Sequence, residues 1–502
     1  MFFCIKLSYS QTSKVKIVNA DVLEFDEKLG KGAKRLIGNV QFQHENMNMF
    51  CDSAYFFANS NSLKAFNHVR IVQGDSLSLT GDSLVYYGTT KKALLRGNIF
   101  LKTKNITLQT NYLDYDRMNN VAYFYNGGKI VNPKENNTLS SKKGYFYPNS
   151  KQLFFKDSVR LINPQYKVQT DTLEYNTATE IVYFHGPTCI SNETGNIKTE
   201  KGWFNTITEN SQYLKNNQIS ADDKLIIADS IFYSKKEGFG SLHYNISITD
   251  TAQDLCLKGE KAFIFDTKDS VLVTNKALLL QYFEEDTLYM HADTFKISKW
   301  YNDTLSFDST VDNKILTAFH HVKFYKKDMQ GMCDSVVYNF VDSTVRFYNQ
   351  PVIWSDKNQL TGEHIYIQNA NDMPYRLYIL NNAFIAEEID STLNRFNQIK
   401  GKNIIGYFRN DTIYRMDVVD NAQTIYYGKD DKGKLVGVNK ALCNKMKILI
   451  ENNEISSITF LDQPQSMFYP VPQFPKEEMF LKGFQWLFKF KPLQPTDVFL
   501  WK

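Results

Sequence analysis

The chain is short of several things, and each shortage removes a class of function. Its 502 residues hold six cysteines, and Cys4, Cys51, Cys189, Cys256, Cys333 and Cys443 are scattered with no CxxC pair. A cysteine zinc site is thereby excluded, and spacing alone assigns no disulfide. No apolar run approaches the ~20 residues that a membrane-spanning helix needs. Neither sign of charge is in excess, since 58 basic against 54 acidic residues leave +4. That is too little for a general polyanion binder. Proline is scarce, and half of the 12 (Pro464, Pro470, Pro472, Pro475, Pro492 and Pro495) fall after residue 463. Apolar residues keep helical spacing nowhere. What is plentiful is hydrophobic and aromatic content, 43% and 14%, which excludes a disordered chain.

The first residues, MFFCIKLSYSQTSK, put Phe2, Phe3, Ile5 and Leu7 ahead of Ser8 and Ser10. They read as the end of a secretory signal whose basic start is missing, with cleavage after Ser10. A frayed apolar first strand is the alternative. Cys4 lacks the surroundings of a lipoprotein signal, so no lipidation is expected.

Self-similarity organises the rest. LTGDSLVYY (79–87) aligns with VNADVLEFD (18–26), MFCDSAYFF (49–57), LQTNYLDYD (108–116) and VQTDTLEYN (168–176). The fourth position of each copy is a pivot: Asp21, Asp52, Asp82, Asn111, Lys142, Asp171, Glu200, Asp229 and Glu260, at steps of 29 to 31 residues. Looser copies with longer loops place it at Asp293, Asp334, Glu363, Lys402 and Lys440. Val, Ile, Leu, Tyr and Phe alternate with polar residues, and Gly, Asn, Asp and Lys mark turns, so each unit predicts strands. Apolar residues three before and four after the pivot lie an odd number apart. A straight strand would put them on opposite faces, so a bulge or corner at the pivot is expected to restore a common face. The pivot Asp would there hydrogen-bond a backbone N–H two residues on. Returning strands such as ALLRGNIFL (93–101) and IVYFHGPTCI (181–190) carry a Gly or Pro interruption, which predicts a bend in the partner. About fourteen bent hairpins would then stack along an axis.

The repeat also explains a decoy. Gly-Asp-Ser-Leu occurs at 74–77 and 81–84, and the same tetrapeptide marks a class of serine esterases. Ser83, however, holds a position filled elsewhere by Val22, Tyr112, Lys143 and Thr172, and half of the aspartates precede Ser or Thr. The eight histidines fall at unrelated places in the strands, so neither Ser76 nor Ser83 has a base. With no carboxylate pair, metal cluster or nucleophile apart from the repeat, the expectation is no enzyme, no catalytic residue, no metal and no cofactor.

Fourteen copies of apolar-x-(Ala/Gly/Thr)-Asp-x-Leu-x-Tyr-(Asp/Asn) over about 18–460 resemble the OstA-like β-jellyroll family, which includes LptA-like periplasmic proteins of lipopolysaccharide transport. The resemblance implies an all-β fold with two facing sheets and an open, V-shaped groove for acyl chains. It also implies a periplasmic place, and leaves association with the outer membrane open. The implied partners are lipopolysaccharide or a related envelope lipid, and other transport proteins joined end to end at sheet edges, with no nucleic acid. The organisation expected is a signal remnant and lead-in at 1–17, regular repeats at 18–292, repeats with longer loops at 293–463, and a Pro- and aromatic-rich tail at 464–502. One continuous jellyroll or two to three segments remain open. The tail, with FLKGFQWLFKFKP (480–492), either covers the last hairpin's edge or docks on a partner or membrane surface.

The function expected is a non-enzymatic bridge that shields acyl chains on the way to the outer membrane. The alternative is a structural envelope repeat protein with a filled interior. Lining residues expected for the groove are Leu84, Tyr86, Leu95, Ile99, Leu113, Tyr115, Phe124, Leu173, Tyr175, Phe184, Val336, Tyr338, Phe347 and Ile353. Small residues two past the pivot (Ala54, Gly144, Gly202 and Ala262) mean space for a ligand or relief of crowding at a bend.

Overall fold

A computed structural model describes residues 13–25, 30, 32–74, 77–104, 106–133, 136–299, 313–370, 373–430 and 432–501. The leader expected at 1–10 and Ser76 lie outside the described residues. Met47–Phe57 shows how one repeat folds. Met47, Met49 and Cys51 are buried, then Ala54 and Phe56, with exposed Asp52 between them. The inward set changes parity at the pivot, so one face stays inward through a corner, as the alternation predicts. The ladder to Ser62–Gln73 breaks at the same place, between Phe50 and Ser53.

On the partner strand the corner is a pair of left-handed residues, Asn67 (φ 61°) and His68 (φ 44°). Similar pairs stand at Gly38-Asn39, Gly97-Asn98, Asn275-Lys276, His320-His321 and Asn381-Asn382. Gly, Asn and His dominate because they tolerate positive φ best. The pivot locks this corner twice. Its backbone N–H donates to the first corner carbonyl, as from Asp21 to Gly38 (2.9 Å), Glu260 to Asn275 (2.9 Å) and Asp293 to His320 (3.1 Å). Its side chain accepts from the second corner residue: Asn39 Nδ2 to Asp21 (2.9 Å), Asn98 Nδ2 to Asp82 (2.8 Å) and Asn382 Nδ2 to Glu363 (2.9 Å). The expected bond to a backbone N–H two residues on is therefore corrected. These carboxylates reach across to the neighbouring strand, where a corner has freed polar groups that must be satisfied.

The last copy is corrected as well. The ladder between Thr412–Lys429 and Leu435–Glu451 breaks between Cys443 and Lys445, and the Asn444 N–H donates to Asp462 at 3.0 Å. The pivot is Asn444, not Lys440. A slip of four keeps the two-residue alternation intact, so the sequence pattern tolerates either frame.

The strands pair antiparallel throughout the described chain, and the fold is all-β. Two compact units divide it. The first holds Met1–Asp222 and Asp229–Lys236, the second Asp223–Ala228 and Glu237–Lys502. The division falls ahead of the change in loop length at 293. Strands continue past 463, with Glu454–Leu461 and Gln465–Tyr469 flanking a final corner at Asp462-Gln463.

Candidate functional site

Corner-bearing strands send side chains inward on both arms, as Met47, Met49 and Cys51 before the pivot and Ala54 and Phe56 after it. In the first unit these make one apolar cluster running from Val15 to Phe184. It brings together Leu84, Tyr86, Leu95, Ile99, Leu113, Phe124, Leu173 and Phe184, with Tyr115 and Tyr175 packed against it. Val336, Phe347 and Ile353 are buried in the second unit and Tyr338 is half-buried there. The position after the pivot lies on the other face, where Lys143 and Lys201 are exposed and Tyr112 and Thr172 half-buried.

Exposure along the cluster is uneven, and the unevenness defines the site. Four residues past successive pivots, Phe56 is 7% exposed and Tyr86 0%, whereas Phe146 is 41% exposed. Tyr115, Tyr175 and Phe204, at the same position, are half-buried. On the facing arm Ile130, Leu139, Leu161 and Ile190 are half-buried too. In the first copy Phe25, four past Asp21, is 72% exposed, so the interior is closed around Phe56 and Tyr86 and open along residues 115–204.

A polar clasp makes the seal. His44 ends the arm before the pivot and is fully buried. Its Nδ1 meets the Tyr86 hydroxyl at 2.6 Å, at the end of the other arm, and its Nε2 meets the Ser13 hydroxyl at 2.6 Å. Beside it Glu45 accepts from Lys91 Nζ (2.6 Å), Arg117 Nη2 (2.9 Å) and Ser13 (3.0 Å). Hydrogen bonds from Lys91 and Ser13 hold the Glu45 carboxyl down at about 2. Burial pushes the His44 pKa below its ordinary value, keeping the ring neutral. Asn61 anchors the incoming chain, accepting from Val15 N–H at 2.9 Å and donating to Ser13 O at 3.2 Å. Beyond Arg117, turn-to-turn bonds run along each row, as from Asn120 to Asn149 and from Asn163 to Asn137.

At the apex, where the two arms meet, the open stretch carries buried hydroxyls and an amide. Thr110, Ser141, Thr170, Thr188, Thr199 and Asn217 are all at most 8% exposed. Thr110 donates to Gly127 O (2.7 Å), Thr170 meets Thr188 (2.8 Å) and Thr199 donates to Asn217 (2.8 Å). They satisfy groups freed by the corners. Sequence reasoning did not single them out. For four of them the signal is the residue before the pivot, which is small throughout: Ala20, Cys51, Gly81, Thr110, Ser141, Thr170 and Thr199; Thr188 and Asn217 stand on returning strands. A cavity of about 570 Å³ at these corners has a mixed lining, with Val159, Pro187 and Cys189 beside Arg160, Lys198 and Glu200.

Ser83 lies mid-strand in Leu77–Tyr87, its backbone paired with Phe66 and Arg96. Three histidines serve corners: His68 bonds Asp52 at 2.7 Å, His320 bonds Asp334 at 3.1 Å and His321 bonds Asp293 at 2.8 Å. Among the described residues no group of three or more His, Cys, Asp or Glu could hold a metal ion.

A comparison with curated protein sequences returns no match. Among solved structures, the chain is similar to LptH of Pseudomonas aeruginosa, described as the LptA homologous periplasmic component of the conserved lipopolysaccharide transport device. Identity is 14%, covering 34% of this chain and 82% of that one, with a TM-score of 0.13. Residues 12–171 match the family model described as OstA-like protein, and the corner-bearing strands of that stretch continue through the rest of the described chain.

Proposed function

We propose that the first unit holds the acyl chains of an envelope lipid, lipopolysaccharide or a relative, and shields them during transfer to the outer membrane. In this reading the protein works in the periplasm without catalysing a reaction, as one piece of a bridge whose neighbours add at its free sheet edges. The observation that carries it is the opening of the interior. Phe146 at 41% exposure, where Tyr86 has 0%, is an inward-facing aromatic between Ala122 and Leu153 that the protein leaves partly uncovered. Extended apolar surface of this kind on a soluble chain marks a binding surface. Each methylene taken from water there contributes about 0.8 kcal/mol, so half a dozen retain a chain by on the order of 5 kcal/mol. The family match over 12–171 supports a lipid as the class of cargo.

The structural-rod reading has its own support. Leu84, Tyr86, Leu95 and Ile99 are at most 2% exposed, so the N-terminal part of the interior is filled by protein. A photo-cross-linking residue at Tyr115 or Tyr175 separates the two readings. It should capture envelope lipid in living cells, whereas one at Tyr112 or Thr172, on the other face, should capture little. Equal capture on both faces, or none, would leave the rod.

A further inference from the structure

After Tyr469 the chain does not cover the last edge strand. It doubles back as a strap across the second unit. Gln398, fully buried, donates to Met479 O and accepts from Leu481 N–H, each at 2.8 Å. Gln359 donates to Gln485 O (2.7 Å) and accepts from Leu487 N–H (2.7 Å) and Trp354 Nε1 (3.2 Å). Lys323 Nζ donates to Leu500 O at 2.9 Å. Gln398 stands four residues before its pivot, at even spacing, and so on the outer face of the arm, away from the interior. One side of the strap is thereby spent. Phe474 and Leu481 pack onto Phe384, Ile425, Tyr427 and Val438.

The other side is more open, although the Phe480 ring meets Phe396 at 6.3 Å and Lys491 Nζ donates to Asp356 O at 3.1 Å. Phe480 (43%), Phe488 (41%), Leu493 (68%) and Leu500 (53%) are exposed. Lys482 and Lys489 are exposed among them, and Lys491 lies over the Phe488 ring at 5.2 Å. From Met479 to Thr496 the sequence holds no Asp or Glu. The flanking carboxylates Glu478 and Asp497 are engaged, by Lys440 and by Leu493 N–H, while Glu477 is exposed just before this stretch.

We propose that this outer side of the strap docks on an anionic lipid surface. Aromatic rings suit the headgroup boundary, and lysines select anionic lipid while their stems lie along apolar surface. The strap is already fixed by backbone bonds to Gln398 and Gln359, so docking does not have to order it. Those same bonds use up N–H and C=O groups that an added peptide strand would need. Charge complementarity therefore favours a bilayer as the occupant. This contact is separate from the lipid-holding interior of the first unit.

The test is co-sedimentation of the full chain with vesicles of phosphatidylcholine alone or mixed equally with phosphatidylglycerol. Binding should require phosphatidylglycerol and fade with added salt. K482Q/K489Q, two exposed positions, should weaken it about tenfold or more, and F480S/F488S should weaken it as well. Cross-linking at Tyr115 should stay unchanged in both variants. Equal binding to both vesicles, no binding to either, or full binding by both variants would overturn the proposal, and a protein partner would become the better occupant.

Discussion

Glu45→Gln tests whether the clasp is held by charge. Depression of the carboxyl from 4.5 to about 2 would correspond to about 3 kcal/mol at 1.36 kcal/mol per unit. The Glu45 side chain is 32% exposed, and solvent screening of such pairs reduces this to about 1 kcal/mol. The readout is amide hydrogen exchange of the peptide covering 13–25, which reports local opening without requiring the whole chain to unfold in one step. Exchange should quicken about fivefold in the variant at neutral pH. The sign with pH follows from the direction of the shift. A carboxyl whose folded pKa is depressed contributes fully above 4.5, and its contribution is lost as pH falls toward about 2. Wild type and variant should therefore converge across that window when compared at equal pH. His44, whose pKa is lowered by burial, loosens both chains alike as pH falls below its ordinary value of 6.5. A difference that is constant from neutral pH to pH 2, or absent at neutral pH, would refute the charge-held clasp.

Two further substitutions probe the repeat. Gly97→Ala should destabilise its strands by about 2 kcal/mol, combining a left-handed φ with steric conflict, because its Cβ would sit 2.3 Å from Asp82 Oδ2. Gly433→Ala, at φ 77° with nothing within 4 Å, should cost only about 1 kcal/mol, and equal losses of amide protection would remove the pivot carboxylate from the account. Ser83→Ala should leave lipid capture and folding unchanged, and loss of cellular function in a folded variant would reinstate a nucleophile.

Much of this was legible because it is local. Inward and outward sets follow from two-residue alternation, and the parity change at Asp52 or Asp82 required a corner before any coordinates. The bend in the partner was legible where Gly97 or Gly186 interrupts it. It was obscure at Asn67-His68 and His320-His321, where residues less diagnostic than Gly take positive φ. Contacts distant in sequence were not legible. Nothing local tells that Gln398 and Gln359 wait for backbone groups some 83 and 126 residues on, or that His44 meets Tyr86 across the interior. The tail's composition showed that it would leave the strand array, but not that it would cross the outer face.

The small residues two past the pivot show how packing decides between readings that composition leaves level. Gly144 and Gly202 suggest either room for a ligand or relief at a bend. A Cβ at Gly144 would stand 2.2 Å from the Phe124 ring, and one at Gly202 would stand 2.5 Å from Gln212 O and 3.2 Å from the Tyr213 ring. Neighbouring groups already occupy that volume, so these glycines admit protein rather than cargo. Room remains farther from the corner, at Tyr115, Phe146, Tyr175 and Phe204, where the arms part. An acyl chain bound there would run along the lips, over aromatic side chains, and clear of the apex with its Thr170–Thr188 pair. That placement agrees with the energetics. Hydroxyls already satisfied at the apex gain nothing from a hydrocarbon neighbour, whereas every exposed ring edge at the lips does.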